Sequence, residues 1–274
     1  RLTYFVDHLL PMFGEHEDAM LNTNWHLAHS LLSPYLNNGL LLPGEVVAAA
    51  HMAFREGKVP LNSAEGFIRQ IIGWREYIWN CYWQWMPEYA GMNALDANRN
   101  LPPMFTNTSK TSMSCMKSVL EGTYERSYSH HIERLMVLGN FSLIAGINPQ
   151  QLTSWMWNSY VDAAEWVMVP NVVGMSQYAD GGMLATKPYA SGGAYIDRMS
   201  NHCKGCVYDR KKRTGENACP FTVLYWDFFL RHQDRFVKNP RVARQVRAAQ
   251  QLQDGDELRQ VAAVMLKKLD QGKL

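Results

Sequence analysis

Lys187-Pro-Tyr-Ala-Ser-Gly-Gly-Ala-Tyr-Ile-Asp-Arg-Met-Ser-Asn-His-Cys203-Lys-Gly-Cys206 is the stretch on which the reading of this chain turns. Its C-x2-C pair sets two thiolates on one side of a tight loop. Cys219-Pro220 comes after twelve residues, and Cys115 lies far upstream. Converging thiolates repel one another unless a metal stands between them, so the spacing favours a metal or cluster over free buried thiols. Zinc and iron–sulfur both satisfy it, with Cys219-Pro220 leaning towards iron–sulfur. The fifth cysteine, Cys81, falls in an apolar helical stripe and reads as core. An odd cysteine count argues against a disulfide scaffold.

With 274 residues and 47% apolar content, the chain can bury one large core or two small ones. Nine Trp and thirteen Tyr suggest aromatic packing around something flat. A formal charge of only +2 excludes a global nucleic-acid field. The charge is uneven, though: Lys204 to Arg244 holds ten Lys/Arg against four Asp/Glu, which suits a polyanion. Neither a signal peptide nor a bilayer-length apolar run nor a lipidation motif is present, so the expected compartment is the cytoplasm and no membrane is involved. A start at Arg1 reads as part of a longer protein.

The signals along the chain are helical, with no alternating strand-length runs. Leu10-Pro11 predicts a turn into an acidic first helix. Ser33-Pro34 predicts an N-cap and first helical position, a start whose free N–H groups can hold phosphate. Pro43 opens a helix to about Arg55. Residues 64–86 form the clearest helix: Phe67, Ile71, Trp74, Ile78, Cys81 and Trp85 step by 4, 3, 4, 3, 4, and Trp79, Tyr82 and Trp83 on other faces predict burial nearly all round. Arg75 and Glu76 inside it then need partners. Residues 87–112 read as a long irregular loop. Cys115 starts the next helix, and His130-His131 stand at a further helix start, as an acid/base pair or a satisfied surface pair. Asn148-Pro149 opens a helix over 150–164. Residues 168–200 carry few helix signals, Pro220 to His232 is an aromatic helix, and 241–274 reads as two charged helices.

These motifs assemble into a resemblance. Leu32-Ser33-Pro34-Tyr35-Leu36 resembles the flavin-phosphate signature of the photolyase/cryptochrome superfamily, and Gly73-Trp74-Arg75-Glu76-Tyr77 its Trp-Arg-Glu-Phe helix. Glu65 to Tyr77, His130-His-Ile-Glu-Arg-Leu-Met-Val, Gly139-Asn-Phe, Gly174-Met-Ser-Gln and Ser191 to Met199 are similar to the prokaryotic (6-4) photolyases, the iron–sulfur bacterial cryptochromes and photolyases. The resemblance implies an all-α, helical FAD-binding domain over residues 1–274. The family's N-terminal α/β antenna domain, with its lumazine chromophore, is absent from this chain. It implies a [4Fe–4S] cluster on Cys115, Cys203, Cys206 and Cys219. FAD is expected near Ser30, Leu32 and Ser33, with Gln70, Arg75 and Glu76 lining its cavity and Arg134 and Asp162 paired beneath it. By the same resemblance His131 and His130 are the lesion-site histidines, Tyr189 and Tyr195 flank the lesion, and Trp155 begins photoreduction.

Two departures stand out. Met156 comes after Trp155, and Thr106-Asn107 fill a place held by Trp in a relative, so the outer electron relay is interrupted or rerouted. Trp157 or the Trp79/Trp83/Trp85 group are candidate substitutes. Met168 stands near where relatives place a polar group facing the flavin, and a thioether donates no hydrogen bond. The expected function is light-driven repair of (6-4) photoproducts by a monomer acting on UV-damaged DNA, whose phosphates meet Lys204, Arg210, Lys211, Lys212 and Arg213. A blue-light receptor of the same fold and a light-independent iron–sulfur nucleic-acid-binding module are the alternatives.

Overall fold

The computed structural model describes residues 1–274. Its regular structure is helical, and extended pairing is confined to three isolated bridges: Met20 with Ser200, Arg99 with Ile147, and Asp209 with Ala218. No helix is long and apolar enough to cross a membrane.

The expected starts hold where a cap or proline dictates them. Pro43–Arg55 begins at its proline, and the Glu45 carboxylate accepts from the Leu42 N–H at 2.8 Å. Asn148 caps Pro149–Ser159 by accepting from Gln151 N–H. Pro220–Arg231 and the two C-terminal helices, Ala243–Gln250 and Gly255–Asp270, lie where expected.

Four expectations fail. Leu10-Pro11 is no turn: helix runs from Leu2 to His16, and a wide π-helical turn at Phe5–Leu9 loosens the ladder before Pro11, which has no N–H to give. Ser33 caps nothing, because its hydroxyl donates to Asp162 at 2.6 Å instead. The 64–86 helix is not buried all round. Phe67, Ile71, Ile78 and Cys81 form the buried stripe, whereas Trp74, Trp79 and Trp83 are exposed and pack against other aromatic rings. The region after 164 is also more helical than its glycines suggest, with helices at Glu165–Val169, Pro170–Ser176 and Gly193–Met199.

Two apolar cores result. A smaller one joins residues 2–16, Pro43–Arg55 and the start of the 61–85 helix. Residues 10–16 lie so close to Leu61–Ile68 that a Cβ on Gly14 would meet the Ser63 backbone nitrogen at 2.8 Å. The larger core gathers the central and C-terminal helices around Phe141, Phe221, Phe228 and Phe236. The gap between the two is the principal cavity.

Buried Asn140 clamps the loop before the cysteines. Its amide donates to the Ser191 carbonyl and hydroxyl at 3.0 and 2.8 Å, and its carbonyl accepts from the Ser191 N–H at 2.9 Å. Asn140→Ala leaves that N–H without its partner. The variant is expected to lose about 1–3 kcal/mol of stability in urea unfolding, and an unchanged midpoint would show that the loop is held elsewhere.

Candidate functional site

The cavity between the cores measures ≈410 Å³, within the range of small-molecule and cofactor sites. Three π-helical turns supply much of its wall: Arg69–Arg75, Glu133–Gly139 and Pro170–Ser176. Such turns widen the helix by one residue and re-aim the side chains beyond them, which is why they gather at functional sites.

Beneath the opening lies a buried ion pair. Arg134 donates to both Asp162 oxygens, at 2.9 and 3.1 Å, and its Nε–H donates to the Ser129 carbonyl at 2.6 Å. Its guanidinium also lies over the Tyr160 ring at 3.9 Å and near Tyr128 at 5.0 Å. Burial works against the Arg134 charge, but Asp162 and the two tyrosines more than offset it and raise its pKa. On the opposite wall Arg75 gives one Nη–H to the Leu36 carbonyl and sits over the Trp166 ring, yet its Nε is buried with no partner. The Nε2 of His29 is likewise orphaned at the wall. Unpaired buried donors beside an aromatic surface fit a flat, polar or anionic guest such as FAD.

The structure brings together Ser30, Ser33, Gln70, Arg75, Arg134, Asp162, His131 and Tyr189 on this wall. It does not bring the others there. Glu76 is exposed on the far face of its helix, because the preceding π turn aims Arg75, not Glu76, inward. Leu32 is buried in the smaller core, and Tyr195 is half-buried away from the wall. Trp155 is also off the wall: its ring meets Phe105 at 4.9 Å and Tyr160 at 6.1 Å, and its indole N–H donates to the Phe105 carbonyl. Met168 turns into the core, while Asn171, one turn on, reaches the cavity. Asn171 was missed in the sequence because 168–200 offers no helical period from which to assign a face, and Trp166 because it falls between that stretch and the helix expected over 150–164.

The two histidines separate. His131 opens into the cavity, whereas His130 is 1% exposed behind it, stacked on His29 at 4.1 Å and 3.7 Å from the Glu133 carboxylate. They are therefore not a surface pair. Burial pushes His29 down to about 4 and His130 well below the usual imidazole range. The cavity walls and the Arg134 charge hold His131 at about 4. Burial raises Glu133 to about 7.

The four expected thiols surround a second, smaller cavity. Cys115 comes from the first turn of Ser114–Arg126, Cys203 and Cys206 from the loop, and Cys219 from the start of Pro220–Arg231. Gly193 packs against this site so tightly that a Cβ there would meet the Cys219 sulfur at 3.0 Å. Burial and the neighbouring thiols push Cys115 far up and Cys203 to about 12. Cys81 lies apart in the main core. All four thiols line this one small cavity, although no three His, Cys, Asp or Glu side chains form a group that could hold one metal ion.

The expected phosphate-binding residues divide. Lys204, Lys211 and Lys212 are exposed. Arg210 is paired with Asp197 at 2.7 Å, and Arg213 with Asp254 at 3.1 Å.

The helical architecture is that of a photolyase. The chain superposes on a bacterial class III photolyase from Agrobacterium tumefaciens with a TM-score of 0.55, over 97% of this chain and 55% of that one; the 18% identity makes this a likeness of fold alone. Sequence goes further: a (6-4) photolyase of Agrobacterium fabrum is 50% identical over 271 residues, which is 98% of this chain and 53% of that protein. The chain is thus similar over almost its whole length to a (6-4) photolyase, and it spans about half the length of that curated relative. An uncharacterised protein of Acanthamoeba polyphaga mimivirus is 33% identical over 101 residues, 37% of this chain and 75% of that protein. No protein-family model matches the chain.

His29, His130 and His131 all have folded values below the unfolded value near 6.5. Their contribution to stability is therefore full above that pH and is lost as pH falls towards 4, because the unfolded chain takes up protons first. Glu133 opposes them, since its raised value weakens folding as pH rises from 4.5 to about 7. Urea unfolding between pH 7.5 and 4.5 should show a net loss of stability towards acid, with a shallower slope in His29→Asn. A flat profile would mean these rings are solvated.

Proposed function

We propose that the chain is the catalytic part of a light-dependent DNA repair enzyme acting on (6-4) pyrimidine–pyrimidone lesions, with FAD in the central cavity and a [4Fe–4S] cluster on Cys115, Cys203, Cys206 and Cys219. The observation that carries this reading is the joint placement of His131, Tyr189 and the Arg134–Asp162 pair on one cavity wall, in a chain 50% identical to a (6-4) photolyase.

Arg75, with its free Nε, Ser30 and Gln70 would hold the FAD, and Arg134 with Asp162 would fix charge beneath it. When bound and reduced, FAD supplies the light-driven electron that is lent to a flipped-out lesion and returned. The chain's own part is placement and protons. His131, one of two imidazoles on the cavity wall with His29, is the proton donor to the lesion. In the free protein it is neutral at pH 7, so it acts only once an anionic substrate in the cavity raises its pKa. His130, enclosed behind it, positions that ring and does not touch the lesion. Tyr189 contacts the lesion from the wall. Four thiols from three segments on one small cavity are a ligand set for one metal centre, and the Cys219-Pro220 pair with the likeness to (6-4) photolyases favours a multi-iron cluster over zinc. The cluster would brace the cysteine loop against Pro220–Arg231. The damaged strand lies against the exposed lysines of the cysteine loop.

An absorption spectrum with iron and flavin assays tests the cofactors. Both should be present, Cys115→Ser should lose iron, and Cys81→Ala should keep it. Stoichiometric zinc without iron would refute the cluster. His131→Asn should abolish repair at saturating lesion DNA with flavin content intact, since an amide supplies no proton near neutral pH. A near-native yield would remove His131 from the chemistry.

DNA affinity supplies a separate prediction. Lys204→Glu, Lys211→Glu and Lys212→Glu should flatten log K against log salt by about 0.9 for each phosphate no longer neutralised. Arg210 and Arg213, already paired with carboxylates, should affect folding more than the slope. An unchanged slope in the triple lysine variant would place the DNA elsewhere.

A further inference from the structure

A line of indole rings leads from solvent to the cavity without a break. Trp83, 64% exposed, meets Trp79 edge to face at 5.5 Å between ring centroids. Trp79 meets Trp166 at 5.1 Å, again edge to face. Trp166 stands on the cavity wall. Nothing about core packing calls for this arrangement, because Trp79 and Trp83 lie outside the buried stripe of their helix. Indoles are among the side chains most easily oxidised by one electron, and rings in contact exchange electrons rapidly.

The surrounding charge gives the ladder a direction. The Arg75 guanidinium sits 4.6 Å from the centre of the Trp166 ring. A fixed positive charge there disfavours a radical cation on Trp166, so a hole formed beside the cavity moves outward. At Trp83 water solvates the cation and accepts its indole proton. The Trp155 direction lacks such a continuation. Its ring contacts are Phe105, which is hard to oxidise, and buried Tyr160, and Met156 beside it in the chain lies inside the core.

We propose that Trp166, Trp79 and Trp83 are the route by which electrons enter the cavity from the surface. The proposal rests on the reading of the cavity as a flavin site. With FAD bound, Trp166 would be its immediate one-electron donor. Trp79 refills Trp166, and Trp83 refills Trp79. The Trp83 radical cation gives its Nε1 proton to water, and a small-molecule thiol in solution then returns a hydrogen atom, ending as a disulfide. One electron enters the cavity for each thiol consumed. The three tryptophans are relay residues and take no part in proton transfer to the lesion.

The test uses the full chain with its bound cofactor, in the absence of oxygen and with a thiol, under blue flashes. Transient absorption and electron paramagnetic resonance on protein carrying ring-deuterated tryptophan should find the long-lived neutral radical on Trp83 in the parent. Trp83→Phe should move that radical inward and shorten its life. Trp79→Phe should lose most of the photoreduction rate, with Trp79→Tyr restoring part of it. Flavin content and helical circular dichroism should match the parent, because both rings lie near the surface. Trp155→Phe should keep the Trp83 radical. Parent-like rates and an unmoved radical in Trp79→Phe and Trp83→Phe would overturn the route while leaving the flavin reading intact. A parent that neither holds nor takes up FAD would overturn both.

Discussion

Much of this structure depends on one buried ion pair. Arg134 and Asp162 are both nearly closed off from solvent, so each charge would carry a large desolvation penalty if it stood alone. The pair is tolerated because every strong group on it is used. The guanidinium forks onto the carboxylate, gives its Nε–H to Ser129 and lies on Tyr160. The carboxylate also takes the Ser33 hydroxyl, and the Asp162 carbonyl takes the Asn37 amide at 2.8 Å. Three segments distant in sequence are thereby fixed to one another: the short helix at Ser33–Asn37, the turn before the 133–145 helix, and the end of Pro149–Ser159. These segments form one side of the cavity. Removing either charge would leave the other buried and unpaired, and the wall would open with it.

The cavity is a gap between two cores, bridged by helices that wind too wide in places. An α-helix keeps one face inward along its length; a π turn inserts a residue and rotates the helix beyond it. In the 61–85 helix this rotation sends Arg75 into the cavity and Glu76 into solvent. It also puts Trp79 and Trp83 on the outer face, where Trp79 meets Trp166 ring to ring and Trp83 meets Trp79. The same irregularity therefore shapes the cavity and the aromatic ladder beside it.

The cysteine site depends on close approach. Gly193 leaves room for the Cys219 sulfur, and Asn140 pins Ser191 two residues earlier. Four thiols held this near to one another resist ionisation until positive charge arrives between them, which ties the loop's order to whatever it binds. The basic residues around it are less free than their number suggests, since two of the arginines already neutralise carboxylates of the same chain.

The sequence by itself determined the helical class, most helix starts and the core position of Cys81. Those come from local chemistry: prolines and caps, and a 3.6-residue period; the grouping of Cys115 with the other three cysteines came from the resemblance. The family was legible too, in short motifs such as His130-His-Ile-Glu-Arg. Only the tertiary structure decided which of the adjacent pairs Arg75/Glu76 and His130/His131 faces the cavity, because one wide turn or one stacked ring reverses a face that spacing alone assigns. It also decided that Ser33 binds a carboxylate 129 residues away instead of capping its own helix. Trp166 reaches the wall through packing between helices, and no period in its own segment could reveal that.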